Sequence, residues 1–288
     1  MLRDDDVVLA QSTGTRLGRG LDAGGTLDPA ARDQTLAIIR EYVAAIRATN
    51  ATVDVIATSA LRRANDAASF AAGVEALTGI APRILSGDEE ATYSFLGATF
   101  GIATAGPLGV LDVGGGSTEL AVGTRESVER TMSLEVGAVR LSERFPALLG
   151  GRALDVAGRA ALVAAARRDA RAILAPLAAL RGFNRLLVVG GTVFTAAAMI
   201  AGDPKRDRVV ISHAQRCALV DELLMRDVAA RRAMPGIRPQ RADILPAGLI
   251  VVDEACAQLD IDDAYVSHAD LLAGYLRSPA YRAVLQRS

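Results

Sequence analysis

The chain is poor in lysine, cysteine and histidine, and these shortages exclude several classes of protein. Of the 32 basic residues only Lys205 is lysine, and the formal charge of −1 provides no overall field to attract nucleic acid. The two cysteines, Cys217 and Cys256, lie far apart without C-x-x-C spacing, as expected for small buried residues in a reducing compartment. No signal-peptide pattern is present, and no apolar run approaches the roughly 18 residues of a membrane span. We therefore expect a cytoplasmic protein with neither nucleic-acid nor membrane partners.

The order of strand and helix patterns predicts an α/β fold. Asp28 and Pro29 form a typical helix start, and apolar residues then recur at helical spacing up to Ile46. The predicted strands are 7–10, 53–57, 83–85, 108–112, 119–122, 131–136, 186–189 and 264–267, and the main predicted helices are 29–46, 66–78, 88–100 and 154–180. The pattern restarts after residues 104–107. This predicts two lobes, residues 1–105 and 106–288, with the last helix a candidate to pack back on the first lobe.

A run of three glycines between two apolar strands is the most informative motif. Without Cβ atoms the backbone can approach a ligand closely, and successive N–H groups can converge on an anion. Asp112 before the turn and Glu119 after it are placed to hold Mg²⁺ beside a bound phosphate. The candidate phosphate ligands of the turn are Gly114, Gly115, Gly116, Ser117 and Thr118. An ordinary glycine hairpin is the alternative interpretation.

This stretch resembles the second phosphate loop of the exopolyphosphatase / guanosine pentaphosphate phosphohydrolase (Ppx/GppA) family. Five further blocks agree with that family in order and spacing: residues 57–62, 84–91, 133–141, 190–192 and 241–248. The resemblance implies a two-lobed, actin-like (ribonuclease H-like) α/β ATPase fold. It also implies an Mg²⁺-dependent hydrolase that releases terminal phosphate from polyphosphate or from guanosine pentaphosphate (pppGpp).

The same resemblance implies roles for individual residues. Glu90 matches the catalytic base that activates water, with a helix-terminal glutamate as the alternative. Arg62 would clamp phosphate, with a surface ion pair as the alternative. Asp112 and Glu119 would bind the metal and orient the water. The strand-to-helix residues Gly190, Gly191 and Thr192 would contact phosphate or nucleoside, unless they form only a packing turn. His213, in a region that resembles a histidine-bearing loop of the family, is a weaker site candidate.

Two departures from the family pattern place activity in doubt. The first phosphate loop, D-x-G-S/T-N-S, is not found, and residues 271–274 replace the usual G-L-R-E-G. Loss of the strands around that loop would bare the apolar face of helix 29–46 and leave strand edges that favour a homodimer. A start site placed too far downstream would explain the loss. The alternatives are a shortened, catalytically impaired paralogue that binds (p)ppGpp as a sensor or partner protein, and an actin-like kinase.

Overall fold

A computed structural model describes residues 2–3, 6–7, 11–49, 51–102, 106–124, 127–203 and 209–285. The elements up to residue 99 are β1 (Leu2–Arg3), β2 (Asp6–Val7), α1 (Leu21–Gly24), α2 (Pro29–Arg47), β3 (Ile56–Ala57), α3 (Ser59–Arg63), α4 (Ala67–Thr78), β4 (Arg83–Ile84) and α5 (Gly87–Thr99). The remaining strands are β5 (Leu108–Val113), β6 (Thr118–Gly123), β7 (Val128–Leu134), β8 (Arg185–Val189), β9 (Val210–Ile211) and β10 (Ala264–Val266). The remaining α-helices are α6 (Ala138–Arg144), α7 (Val156–Leu174), α8 (Gly191–Ala201), α9 (His213–Leu224), α10 (Val228–Arg232), α11 (Leu245–Leu259), α12 (Leu271–Arg277) and α13 (Pro279–Leu285).

A six-stranded mixed sheet in the order β7-β6-β5-β8-β10-β9 organises the larger part of the chain. Strands β5, β6 and β7 are successive antiparallel neighbours, whereas β8 and β10 run parallel to β5. Numbered in chain order from β5, the six strands therefore have the order 3-2-1-4-6-5. The edge strand β9, which pairs antiparallel with β10, was not predicted. It has two residues, too few for a periodic signal.

Helices cover both faces of this sheet. Leu111, Leu120 and Val188 lie on one face, within a large core to which α7 and α11 contribute. Val110 and Ala121 lie on the opposite face, in a smaller core with residues of α5. Because side chains alternate along a strand, a polar residue beside Val110 or Ala121 on that second face is directed towards α5. None of the helices that the structure describes has the length and apolar character needed to cross a bilayer.

The first hundred residues contain a two-stranded parallel sheet, in which Ile56 pairs with Arg83. The prediction of a strand over 53–57 was too long, because only Ile56 and Ala57 make ladder contacts. Of the predicted strand 7–10, Val7 lies in β2 and residues 8–10 lie outside the described part, as do residues 104–105 of the predicted break. The short sheet gives the flanking helices little surface to cover.

The predicted helix start at Asp28 is confirmed, since its side chain accepts the Ala31 N–H at 2.8 Å. Of the 19 residues of α2 only Ala31 and Val43 are buried. Leu36 and Ile39 are half-buried and pack against the small core around Phe70. The apolar face of α2 is therefore only partly covered, as the sequence predicts.

Helix α12 packs tightly against α5 through two glycines. A methyl group on Gly97 of α5 would lie 2.9 Å from the backbone nitrogen of Gly274 and would collide with the carbonyl oxygen of Asp270. One on Gly274 would collide with the carbonyl oxygen of Tyr93. Backbone thus meets backbone at this crossing, and the end of the chain rests on a helix from its first hundred residues.

Candidate active site

The glycine turn between β5 and β6 is held by the start of α6. The N–H of Ala138 donates to the Gly114 carbonyl at 3.0 Å, and that of Val139 to the Gly115 carbonyl at 2.9 Å. Trans peptides place N–H opposite C=O, and no peptide bond in the described residues is cis. The N–H groups of Gly115 and Gly116 therefore point away from α6. Such converging donors are suited to an anion.

Two carboxylates lie directly opposite each other beside this turn. Asp112 of β5 is paired with Glu119 of β6, and both side chains are on the face towards α5. There the Ser94 hydroxyl donates to Asp112 Oδ2 at 2.6 Å. Glu90, one turn earlier on α5, completes a group of three carboxyl groups. Like charges directly opposite on a sheet are destabilising, so this pairing indicates a functional constraint.

The pKa values of all three carboxyl groups are raised. Burial, together with the charges of Glu90 and Asp112, raises the pKa of Glu119 to about 8. Burial also raises the pKa of Asp112 to about 6, although the hydrogen bond from Ser94 favours its charged form. Burial raises the pKa of Glu90 despite the guanidinium of Arg62 beside it. A cation placed among these groups would stabilise their charged forms.

Arg62 is held between two of these carboxylates. Its Nη1 donates to Glu90 Oε2 at 2.6 Å and to the Leu85 carbonyl at 2.9 Å. Its Nη2 lies 3.8 Å from Glu119 Oε1, which accepts from the Ser133 hydroxyl at 2.7 Å. Within the described residues, Nη2 of Arg62 and Oε2 of Glu119 are buried without a hydrogen bond. The clamping of phosphate by Arg62 stays a prediction, and Nη2 is the donor that remains for it.

The hydroxyl groups near the turn divide into two kinds. Thr118 donates to the Val136 carbonyl at 2.6 Å, so its hydroxyl closes the turn. Ser117 lines the pocket above the turn. Ser59, which sequence reasoning missed, lies in α3 with a buried oxygen that has no hydrogen-bond partner among the described residues, and a Cβ on Gly116 would be 2.9 Å from that oxygen. Ser59 is therefore a better placed donor to the pocket than Thr118.

The second glycine turn, between β8 and α8, approaches the carboxylates from another side. Gly190 has φ 101°, and a Cβ there would lie 3.0 Å from Asp112 Oδ1. Thr192 is buried, and Gly248 of α11 lies against its hydroxyl. The packing alternative therefore describes Thr192, whereas Gly190 touches the site.

The guanidinium of Arg241 lies over Gly191 at the start of α8. A Cβ on Gly191 would collide with that guanidinium. Burial lowers the pKa of Arg241, partly offset by the charge of Asp112. Its guanidinium makes no hydrogen bond or ion pair with the described residues. Sequence reasoning passed over Arg241, although it opens the block 241–248. An uncommitted guanidinium beside a carboxylate is suited to a bound phosphate.

His213 lies apart from these groups. Its Nδ1 is 2.8 Å from Asp253 Oδ1, and its Nε2 is 3.6 Å from Cys217 Sγ. The ligand atoms of these three residues lie within 4.8 Å of one another. Asp253, however, also accepts from Arg216 at 2.7 Å and from Arg167 at 2.5 Å. The positive charges of these two guanidinium groups disfavour a metal ion at Asp253. His213 is also absent from the lining of the pocket above the glycine turn.

A pocket of about 210 Å³ opens over the glycine turn. Its floor is formed by residues 114–117, and Glu90 and Ser59 lie in its walls. The rim carries Arg63 and Arg140 together with Asp22. The site thus combines a glycine turn suited to an anion, the buried carboxylate of Glu90 in the lining of the pocket, and the carboxylate pair of Asp112 and Glu119, which is suited to a cation.

These features define the class of an α/β protein whose mixed sheet carries a glycine turn suited to phosphate beside buried carboxylates. The family model described as the Ppx/GppA phosphatase family matches residues 5–280. The chain belongs to this family.

Named relatives and solved structures of similar proteins support this membership. A protein named exopolyphosphatase 2, from Mycobacterium tuberculosis, is 34% identical over 291 residues, covering 92% of this chain and 86% of the relative. The crystal structure of an exopolyphosphatase-like protein superposes with a TM-score of 0.85 at 26% identity, covering 96% of this chain and 92% of that chain. An exopolyphosphatase from Cytophaga hutchinsonii shares the fold, with a TM-score of 0.80 at 20% identity, over 92% of this chain and 86% of that chain. The two-lobed α/β fold implied by the sequence is therefore confirmed.

Proposed function

We propose that this chain is an Mg²⁺-dependent hydrolase that releases the terminal phosphate from inorganic polyphosphate or from pppGpp. The observation that carries the proposal is the position of Glu90 in the wall of the pocket above the glycine turn. The exopolyphosphatase name of the M. tuberculosis relative supports polyphosphate as the substrate class. Hydrolysis of a phosphoanhydride requires positioning and charge neutralisation more than covalent chemistry, and the site supplies both.

The residues divide this work between binding and proton transfer. The N–H groups of Gly115 and Gly116 would hold the terminal phosphate, with the Ser59 hydroxyl beside them. Glu90 would accept a proton from the attacking water. Burial raises the pKa of Glu90, which makes its carboxylate a stronger base. Arg62, which donates to Glu90 Oε2 at 2.6 Å, fixes the orientation of that carboxylate.

Asp112 and Glu119 fit a magnesium ion. Glu119 Oε2 is buried without a partner among the described residues, and Ser94 orients the Asp112 carboxylate. Magnesium usually takes one or two carboxylates together with water and substrate oxygens. When bound, the ion would neutralise negative charge on the phosphate chain. The bound charge would then offset the burial and the neighbouring negative charges that raise the pKa values of Asp112 and Glu119.

Phosphate release from polyphosphate and from pppGpp, with and without Mg²⁺, tests the proposal. Glu90→Gln is expected to lower kcat by about 10³-fold with either substrate, because a positioned base contributes 10²–10⁴-fold. Glu75→Gln, at an exposed position on α4, is the matched control and should retain full activity. Full activity of Glu90→Gln would refute the role of Glu90. Binding of pppGpp without any turnover would favour the sensor alternative.

A further inference from the structure

Two arginines and two carboxylates form a closed ring of ion pairs at the rim of the pocket. Arg140 Nη2 lies 2.6 Å from Glu135 Oε2, and Arg63 Nε lies 3.3 Å from the same oxygen. Arg140 Nε lies 3.3 Å from Asp22 Oδ2, and Arg63 also pairs with Asp22. Each arginine therefore contacts both carboxylates. We call these four residues the rim ring.

The rim ring joins two parts of the chain across the cavity. Asp22 of α1 and Arg63 of α3 belong to the first hundred residues, whereas Glu135 lies between β7 and α6 and Arg140 lies in the first turn of α6. Ser59 and Arg63 are separated by four residues on α3, so they share one helical face. Because Ser59 touches the glycine turn, the rim ring lies about one helical turn from the proposed terminal-phosphate site.

Arg140 is buried, whereas Arg63 and the two carboxylates are partly accessible to water and Glu135 is the most exposed of the four. The side chain of Arg140 is 6% exposed and that of Arg63 is 28% exposed, against 34% for Asp22 and 52% for Glu135. Arg140 Nε is buried and, despite the nearby Asp22, makes no hydrogen bond among the described residues. The carboxylates can return to water at small cost, because exposed ion pairs contribute little. Arg140 also donates to the backbone carbonyl of Glu135, but its buried Nε is left for an anion.

Linked phosphates are the anions best suited to replace these carboxylates. A phosphate group offers two oxygens to one guanidinium in bidentate fashion, and a chain delivers several such groups at once. A chain whose terminal phosphate lies at Gly115 and Gly116 would extend past Ser59 towards the rim ring.

Resting on the proposed function, we propose that Arg63 and Arg140 bind the inner phosphates of a linked phosphate chain. Asp22 and Glu135 occupy these arginines in the free protein and compete with the substrate. The rim ring thereby sets the preference for chain length. The same chemistry is presented by inorganic polyphosphate and by the phosphates of pppGpp.

The double variant Asp22→Asn, Glu135→Gln removes the competing charges while keeping side-chain size. We expect its KM for long-chain polyphosphate to fall by about fivefold, and its KM for tripolyphosphate to change by less than about twofold. Arg63→Gln should raise the KM for the long chain. Asp169→Asn is the matched control, because Asp169 is 33% exposed and pairs with Arg144 at 2.7 Å on α6. It should leave both KM values unchanged.

The variants are designed to fold, because other contacts join the same segments. The Gly20 N–H, next to α1, donates to Glu143 Oε1 of α6 at 2.8 Å, and Arg16 additionally ties the segment before α1 to Asp243. Should the double variant unfold, Glu135→Gln alone changes only the more exposed carboxylate and carries the same expectation.

An unchanged or higher KM of the double variant for both long-chain polyphosphate and pppGpp would overturn the proposal, as would an equal fall for tripolyphosphate. A lower KM for long-chain polyphosphate assigns the rim ring to the inorganic chain, and a lower KM for pppGpp alone assigns it to the phosphates of the nucleotide. If none of the proteins releases phosphate, the proposed hydrolase function fails. Calorimetric binding of long-chain polyphosphate then still tests the rim ring, which is refuted if the double variant does not bind more tightly than the wild type.

Discussion

Raising the pH from about 5 to about 8 without divalent cations is expected to destabilise the protein through Asp112. In the folded state the pKa of Asp112 is raised from 3.8 to about 6, chiefly by burial. The folded protein therefore holds this proton more tightly than the unfolded chain does. Its contribution to stability is complete below the ordinary pKa of 3.8 and is lost as the pH rises through about 6.

The magnitude follows from the change in proton affinity. Each tenfold change in proton affinity corresponds to about 1.36 kcal/mol, so the shift from 3.8 to about 6 corresponds to about 3 kcal/mol in total. This contribution already declines above pH 3.8, so about 1.4 kcal/mol of it is lost between pH 5 and pH 8. For a chain of this size, a loss of about 1.4 kcal/mol lowers the midpoint of thermal unfolding by roughly 3–6 °C. Glu119, whose pKa is also raised, changes stability in the same direction.

Thermal unfolding followed by circular dichroism between these pH values, in EDTA and in Mg²⁺, measures the effect. The midpoint of the wild type should fall with pH in EDTA and recover in Mg²⁺. Asp112→Asn should show a much flatter profile, while Asp169→Asn should follow the wild type. Equal slopes for the wild type and Asp112→Asn would refute the assignment to Asp112. A midpoint at high pH that Mg²⁺ does not raise would refute the metal site.

Two further predictions concern packing and catalysis. Gly97→Ala should lower the free energy of unfolding by about 2 kcal/mol, because its methyl group collides with backbone of α12. Urea denaturation measures this, and Gly151→Ala, which meets open space, should change it by less than about 0.5 kcal/mol. Arg62→Lys should lower kcat for polyphosphate by about 10²-fold, because one ammonium cannot bond Glu90 while leaving a second donor for phosphate. Steady-state rates within twofold of the wild type would contradict this expectation.

The parts of the fold that follow from local chemistry were predictable from the sequence. The helix start at Asp28 depends on one side chain and a following proline, and both act within a single turn. The turn at residues 114–116 is marked by three glycines between apolar strands. The pairing of Asp112 with Glu119 follows from the length of that turn, because an antiparallel register fixes which residues are opposite.

Other features depend on contacts between distant segments, and local patterns do not report them. Val53, Asp54 and Val55 have the composition of a strand, but the ladder to β4 includes only the two residues that follow. The approach of Arg241 to Gly191 joins residues 50 positions apart. The position of Ser94 beside the carboxylates could have been predicted, because Ser94 follows Glu90 by four residues and both therefore lie on the same face of α5.

The rim ring could not be predicted from local sequence patterns either, because its members come from three separate stretches of sequence. Arg63 and Arg140 each lie within a block or directly beside one, yet their shared partners are set only when the chain is folded. The structure brings Glu90, Asp112 and Glu119 to one place, and their catalytic and metal-binding roles stay predictions for the experiments above.

Helix α6 performs two tasks whose combination has a mechanical consequence. Its first N–H groups hold the carbonyls of Gly114 and Gly115, and its third residue is Arg140 of the rim ring. With seven residues it is about two turns long, too short to bend between these points. A ligand bound by the Arg140 guanidinium is therefore expected to act on the hydrogen bonds that hold the glycine turn. We expect binding at the rim ring and the orientation of the Gly115 and Gly116 N–H groups to change together.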